Sequence, residues 1–184
     1  MKRKNLIRIG LVALGLAVAG GAAISAQDKY TVKVQGGLGF AEFMGYEGWQ
    51  VISTSYNEHA IAVIVGNPEM IRAFQAGIPD NGEPFPDGAR MAKIHWTPKP
   101  GALFPQATVS GALHDVDFMV KDSKRFGADG GWGYAVFIYD DAAGTFRPGN
   151  ETDQPPQAND AKCGVACHVI AKSRDSVFSE YGKR

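Results

Sequence analysis

At 184 residues, with 45% hydrophobic and 21% charged side chains, the chain suits one domain with a core large enough to enclose a ligand. Its 19 Lys+Arg and 19 Asp+Glu cancel; with no basic patch or RNA-binding motif, the sequence excludes a nucleic-acid partner. It also contains no internal repeat, Gly-rich phosphate loop or serine nucleophile motif.

Lys2, Arg3, Lys4 and Arg8 precede an apolar Gly/Ala-rich run over residues 9–24, which ends in Ile24-Ser25-Ala26. This is the pattern of a secretory signal peptide cut after Ala26. Gly10, Gly15, Gly20 and Gly21 dilute the run, which argues against a membrane anchor, and no cysteine follows it to carry a lipid. The expected mature domain, residues 27–184, keeps 15 basic against 19 acidic side chains. Its expected compartment is the oxidising periplasm.

Phe40, Phe43 and Tyr46 have near-helical spacing within residues 38–49. Residues 50–56 and 60–65, rich in Val, Ile and Thr, read as strands joined by an Asn57-Glu58 turn. Asn67-Pro68-Glu69 is a helix start, with Met70, Ile71 and Phe74 as the apolar face and Gly77 as the stop. After a Pro/Gly-rich loop at 78–88, strands are expected over 90–96 and 115–120. A hairpin follows from 134–139 and 145–147, around Asp140-Asp141-Ala-Ala-Gly144. A linker at 148–157 then leads to a final helix over residues 160–181.

That last segment holds Cys163-Gly-Val-Ala-Cys167-His168, with the only two cysteines of the chain. In the C-x-x-C-H motif two thiols add to the haem vinyl groups and the histidine binds iron. Here one residue more separates the cysteines. Residues four apart share a helix face about one turn apart, so both sulfurs can still reach one edge of a macrocycle. The rival reading is a local Cys163–Cys167 disulfide, which across one turn is usually strained and staples nothing distant. The expected fold class is α+β, mainly β: an antiparallel sheet with flanking helices and a haem-bearing C-terminal helix. An ordinary small helical cytochrome c is disfavoured, because no methionine follows His168 to fill the sixth iron position.

Several segments, in order, resemble the cytochrome P-460 family, which includes the β-sheet cytochromes c-prime. They are Tyr46-Glu-Gly-Trp49; Gly66-Asn-Pro-Glu-Met70; Phe85-Pro-Asp-Gly-Ala-Arg-Met-Ala-Lys93-Ile-His-Trp96; Val120-Lys-Asp-Ser-Lys-Arg-Phe126; Gly131-Trp132-Gly-Tyr134; and Cys163 to His168 followed by Asp175-Ser-Val-Phe178. The departure is the extra residue between the cysteines. The resemblance implies a secreted, mainly β homodimer with one covalently bound haem c per chain, His168 as proximal iron ligand and an open distal side. In cytochromes P-460 proper, a lysine also bonds to a meso carbon of the macrocycle and hydroxylamine is oxidised. The β-sheet cytochromes c-prime lack that bond and bind nitric oxide or carbon monoxide.

Lys93 matches the linking lysine. Strand alternation puts Met91, Lys93 and His95 on one face and Ala92, Ile94 and Trp96 on the other, so Lys93 points either to haem or to water. Asp117 takes the place of an acidic side chain that stands over the iron in hydroxylamine-oxidising relatives; the plainer reading is a solvated strand-end aspartate, and Asp115 competes on the same face. Phe43 is the aromatic residue expected to line the distal pocket. His59, His95 and His114 lack metal-ligand spacing. The expected function is redox chemistry on hydroxylamine or nitric oxide, with Asp117 and Lys93 as catalytic groups and a soluble electron-transfer partner. The alternatives are a non-enzymatic gas binder and, if His95 or Met119 closed the site, a plain electron carrier.

Overall fold

The computed structural model describes residues 27–34, 37–149 and 162–184. The expected signal peptide and most of the expected 148–157 linker lie outside these. Six strands form one antiparallel meander in which every strand pairs with its sequence neighbours: β1 (Gln50–Tyr56), β2 (Ile61–Gly66), β3 (Arg90–Pro100), β4 (Thr108–Lys121), β5 (Trp132–Asp140) and β6 (Thr145–Pro148). The expected α+β, mainly β class is what the chain forms.

Alternation along the strands gives the sheet two different faces. On one, Val65, Ala92, Val116, Phe118, Ala135 and Phe137 pack beneath the N-terminal segment. The residues expected to be helical at 38–49 form two short 3-10 turns, Phe40–Phe43 and Tyr46–Gly48, interrupted where Gly45 takes a left-handed φ of 80°. They drive Phe40 into a nest of five rings: Tyr30, Tyr46, Phe118, Phe137 and Phe146. Such pairs contribute about 0.5–1.5 kcal/mol each beyond area burial.

The other face, with Ile64, Met91, Met119, Trp132 and Tyr134, receives α1 (Pro68–Gln75) and the C-terminal segment. Asn67 caps α1 by accepting from the Met70 amide, and the same side chain accepts from the Arg90 amide and donates to the Gly88 carbonyl. The cap thus ties α1 to the start of β3.

Two expectations need correction. Strand β4 begins at Thr108, seven residues before the expected start. Beyond Trp96 and Asp115 the β3–β4 ribbon loses its outer partners and projects alone, so no buried face imposes alternation there. The expected helix over 160–181 is also shorter: α2 (Lys162–His168) runs into a 3-10 stretch, Val169–Arg174, and stops where Asp175 and Ser176 adopt positive φ of 49° and 64°.

Candidate functional site

The second face of the sheet and α2 enclose a cavity of about 920 Å³. Its size falls within the range of cofactor pockets. From β3 and β4 come Met91, Lys93, Asp117 and Met119; from β5, Tyr134 and Val136; from the C-terminal segment, Cys167, His168, Val177 and Phe178. Lys93 therefore points into the cavity, as does Asp117, its direct cross-strand partner. Of the residues singled out in the sequence, Lys93, Asp117, Cys167 and His168 meet in one place. The Cys163 side chain lies outside the described residues.

Phe43 does not join them. It is 0% exposed on the opposite face of the sheet, stacked on Phe118 with ring centroids 4.1 Å apart. The strand alternation that turns Asp117 and Met119 into the cavity turns Phe118 away, and Phe43 follows Phe118. The aromatic wall comes instead from Tyr134 and Phe178, whose rings lie 4.8 and 4.9 Å from the His168 ring.

Helix α2 can lie this close to β5 because of Gly164. A Cβ there would overlap the Tyr134 side chain, so the helix backbone rests directly on that ring. His168, at the end of the helix, is then oriented by its Nδ1, 2.7 Å from the Ser176 carbonyl oxygen. A carbonyl can only accept, so Nδ1 carries the hydrogen and Nε2 keeps the lone pair a metal needs. Burial holds the imidazole below its ordinary pKa; the Ser176 carbonyl opposes this and the Lys93 charge adds to it.

The segment that supplies Ser176 is anchored from below. Lys121, 6% exposed, reaches the Asp175 carboxylate at 2.7 and 2.9 Å and the Gly130 carbonyl at 2.8 Å. Asp175 also accepts from the Phe85 amide. Nothing in the spacing of Lys121 and Asp175, 54 residues apart, announces this pair.

Asp117 stands in a different electrostatic setting. Burial, reinforced by the neighbouring charge of Asp115 and opposed by His95 and Lys93, pushes its carboxyl up from 3.8 to about 6. Its side chain keeps 39% of its surface, at the cavity wall. Asp115, the competing candidate, sits on the same strand face but outside the cavity. Burial works against its charge, yet hydrogen bonds from His95 (2.5 Å) and His114 (2.6 Å) hold its carboxyl below the usual range. His59 is 84% exposed and does not line the cavity.

The lining fits a haem. A mostly apolar cavity presents an imidazole with its Nε2 lone pair available and, one residue before it, the free thiol of Cys167. That thiol is the form thioether attachment requires. The comparison with known families agrees: the model of the Cytochrome P460 family matches residues 43–179. Among curated proteins no relative matches the chain. With three quarters of its length matched and a haem-sized cavity beneath the motif, the chain belongs to the cytochrome P460 family and is a haem protein of that family.

Proposed function

We propose that the chain is a periplasmic c-type cytochrome, carrying one haem through thioethers to Cys163 and Cys167, that oxidises hydroxylamine or otherwise processes small nitrogen oxides. The observation that carries this reading is the placement of Asp117, a carboxyl with a pKa of about 6, beside Lys93 on the wall of the cavity that His168 and Cys167 line. When bound, the haem would supply a redox-active iron able to accept the electrons of the oxidation. The chain supplies the rest. His168 would hold the iron through Nε2, with the Ser176 carbonyl fixing the ring. Met91, Met119 and Val136 give the wall beside Asp117 an apolar surface.

Asp117 takes the proton that leaves as the nitrogen is oxidised, and a base with a pKa near the working pH suits that task. Lys93 favours the ionised form of Asp117, and if bonded to the macrocycle it would also alter the electronics of the haem. Electrons leave to a soluble partner, and the active form is a homodimer. The test is hydroxylamine-dependent reduction of an artificial acceptor by the haem-loaded protein. Steady turnover is expected; failure to turn over with nitric oxide binding intact overturns the enzyme reading in favour of a gas binder.

A further inference from the structure

Beside the cavity, β3 and β4 carry a second row of titratable groups. His95 pairs with Asp115 and Trp96 with Leu113, so His114 is an extra residue, a β-bulge, in β4. Bulges re-aim side chains and are frequent next to active sites. Here the bulge brings His114 against its own neighbour: His114 Nδ1 lies 2.6 Å from Asp115 Oδ2. On its other oxygen, Asp115 Oδ1 meets His95 Nδ1 at 2.5 Å, and the same His95 nitrogen is 3.8 Å from Asp117 Oδ2.

The four groups form a file with a direction. Asp117 lines the cavity, whereas His95, Asp115 and His114 do not. The His95 and Asp115 side chains are each 16% exposed and that of His114 is 64% exposed. A structural ion pair needs one imidazole. Asp115 has two, one on each oxygen, and between them they span the distance from the cavity wall to solvent.

We propose that His95, Asp115 and His114 are the proton exit of the cavity, passing to solvent the protons that Asp117 collects. This rests on the reading that Asp117 accepts substrate protons. When its ring is protonated on both nitrogens, His95 gives its Nδ1 hydrogen to Asp115 Oδ1, and the lone pair so freed on Nδ1 then takes the proton of the Asp117 carboxyl, 3.8 Å away. The exposed His114 ring loses a proton to water or buffer and, once it presents an unprotonated nitrogen, takes the one held by the Asp115 carboxyl, which returns each group to its starting state. No electrons move. Imidazole and carboxyl groups exchange protons readily near neutral pH. The charged groups facing Asp117 are Lys93 across the strand pair, His95 and Asp115 beside it and His114 beyond, with Glu180 elsewhere in the cavity lining; β5 contributes only Val136 opposite Asp117.

The experiment compares hydroxylamine turnover by the haem-loaded parent, Asp117→Asn, His95→Gln and His114→Gln in dilute buffer and in concentrated imidazole. His95→Gln and His114→Gln should lose most of the parent rate in dilute buffer and recover it in imidazole, which replaces the missing carrier. Parent rates in dilute buffer, or slow turnover that imidazole does not rescue, would overturn the exit. Independently of turnover, the infrared carboxyl band that vanishes in Asp117→Asn should titrate at higher pH in His95→Gln, because the His95 ring that holds the Asp117 carboxyl down is gone; an unmoved titration also overturns it. Should Asp117→Asn itself run at the parent rate, the fault lies with the carboxylate reading on which the exit depends.

Discussion

Lys93 and Asp117 are directly opposed residues of the β3–β4 pair, and both side chains line the cavity beneath Cys167 and His168. Opposed residues in an antiparallel pair have Cβ atoms about 4.5–5.5 Å apart. A cation and a carboxylate with a raised pKa therefore form one unit on the wall, and changing either changes the other.

Asp117→Asn preserves shape and removes the base. Hydroxylamine turnover should fall about a hundredfold or more, the usual contribution of a general base, while nitric oxide binding is retained. In the parent, the rate should rise as pH passes through about 6 and the carboxyl ionises, and that limb should be missing from the variant. Stability runs the other way. A carboxyl whose folded pKa exceeds its unfolded value favours the native state below the unfolded value, and that advantage is lost as pH rises through the folded one. Asp117→Asn should therefore unfold at higher denaturant than the parent above pH about 6, with the gap closing toward pH about 4. A gap that widened on acidification would contradict the raised pKa.

Lys93→Ala removes a charge that holds the Asp117 carboxyl down, so the Asp117 titration should move further up. The activity limb should shift to higher pH with it. Peptide mass spectrometry tests the covalent question separately: any haem carried by a β3 peptide of the parent should be absent from the variant. If haem is found only on the peptide of Cys163 and Cys167, Lys93 acts through its charge alone.

How far the sequence could be read depended on whether a single periodicity or motif decided the matter. The cap at Asn67, the alternation of Met91, Lys93 and His95, and the Cys163 to His168 motif are local, and each is read from a few neighbouring residues. Phe43 was misplaced because aromatic character does not say which face of a sheet a preceding 3-10 turn will cover; the stacking on Phe118 decides that. The early start of β4 was hidden because its projecting half, Thr108 to Leu113, has no second partner to require an apolar face. The His95–Asp115–His114 cluster was invisible as spacing because a bulge, and no strand or helix period, brings His114 to Asp115.

Gly164→Ala tests the seat of α2. The added methyl overlaps Tyr134, and overpacking of this kind costs about 1–3 kcal/mol. The fraction of protein carrying haem should drop, since the helix must rise from β5 and take Cys167 and His168 with it. Pairing the change with Tyr134→Leu opens space under the helix and should recover part of the loss. Equal haem loading in parent and Gly164→Ala would show that contact with Tyr134 does not set the helix position.

Asp175 tests how His168 is held. Asp175 and Ser176 both have left-handed backbone, unfavourable for residues with a Cβ. The Asp175 carboxylate offsets that cost by binding buried Lys121 and the Phe85 amide, and the turn so fixed aims the Ser176 carbonyl at His168 Nδ1. Asp175→Ala leaves the Lys121 ammonium buried without its counter-charge, a loss of about 3–5 kcal/mol. Combining it with Lys121→Met removes the orphaned charge, and apolar replacement of a buried pair is often neutral or better, so most of the stability should return. The orientation of His168 should not return with it, because nothing then fixes the Asp175–Ser176 turn. The double variant should unfold close to the parent in denaturant but differ from it in the ferrous haem spectrum, which would report a change in how His168 meets the haem. A double variant with the parent's spectrum would mean that the turn holds its shape without the ion pair, and that Lys121 and Asp175 stabilise the fold without positioning the ligand.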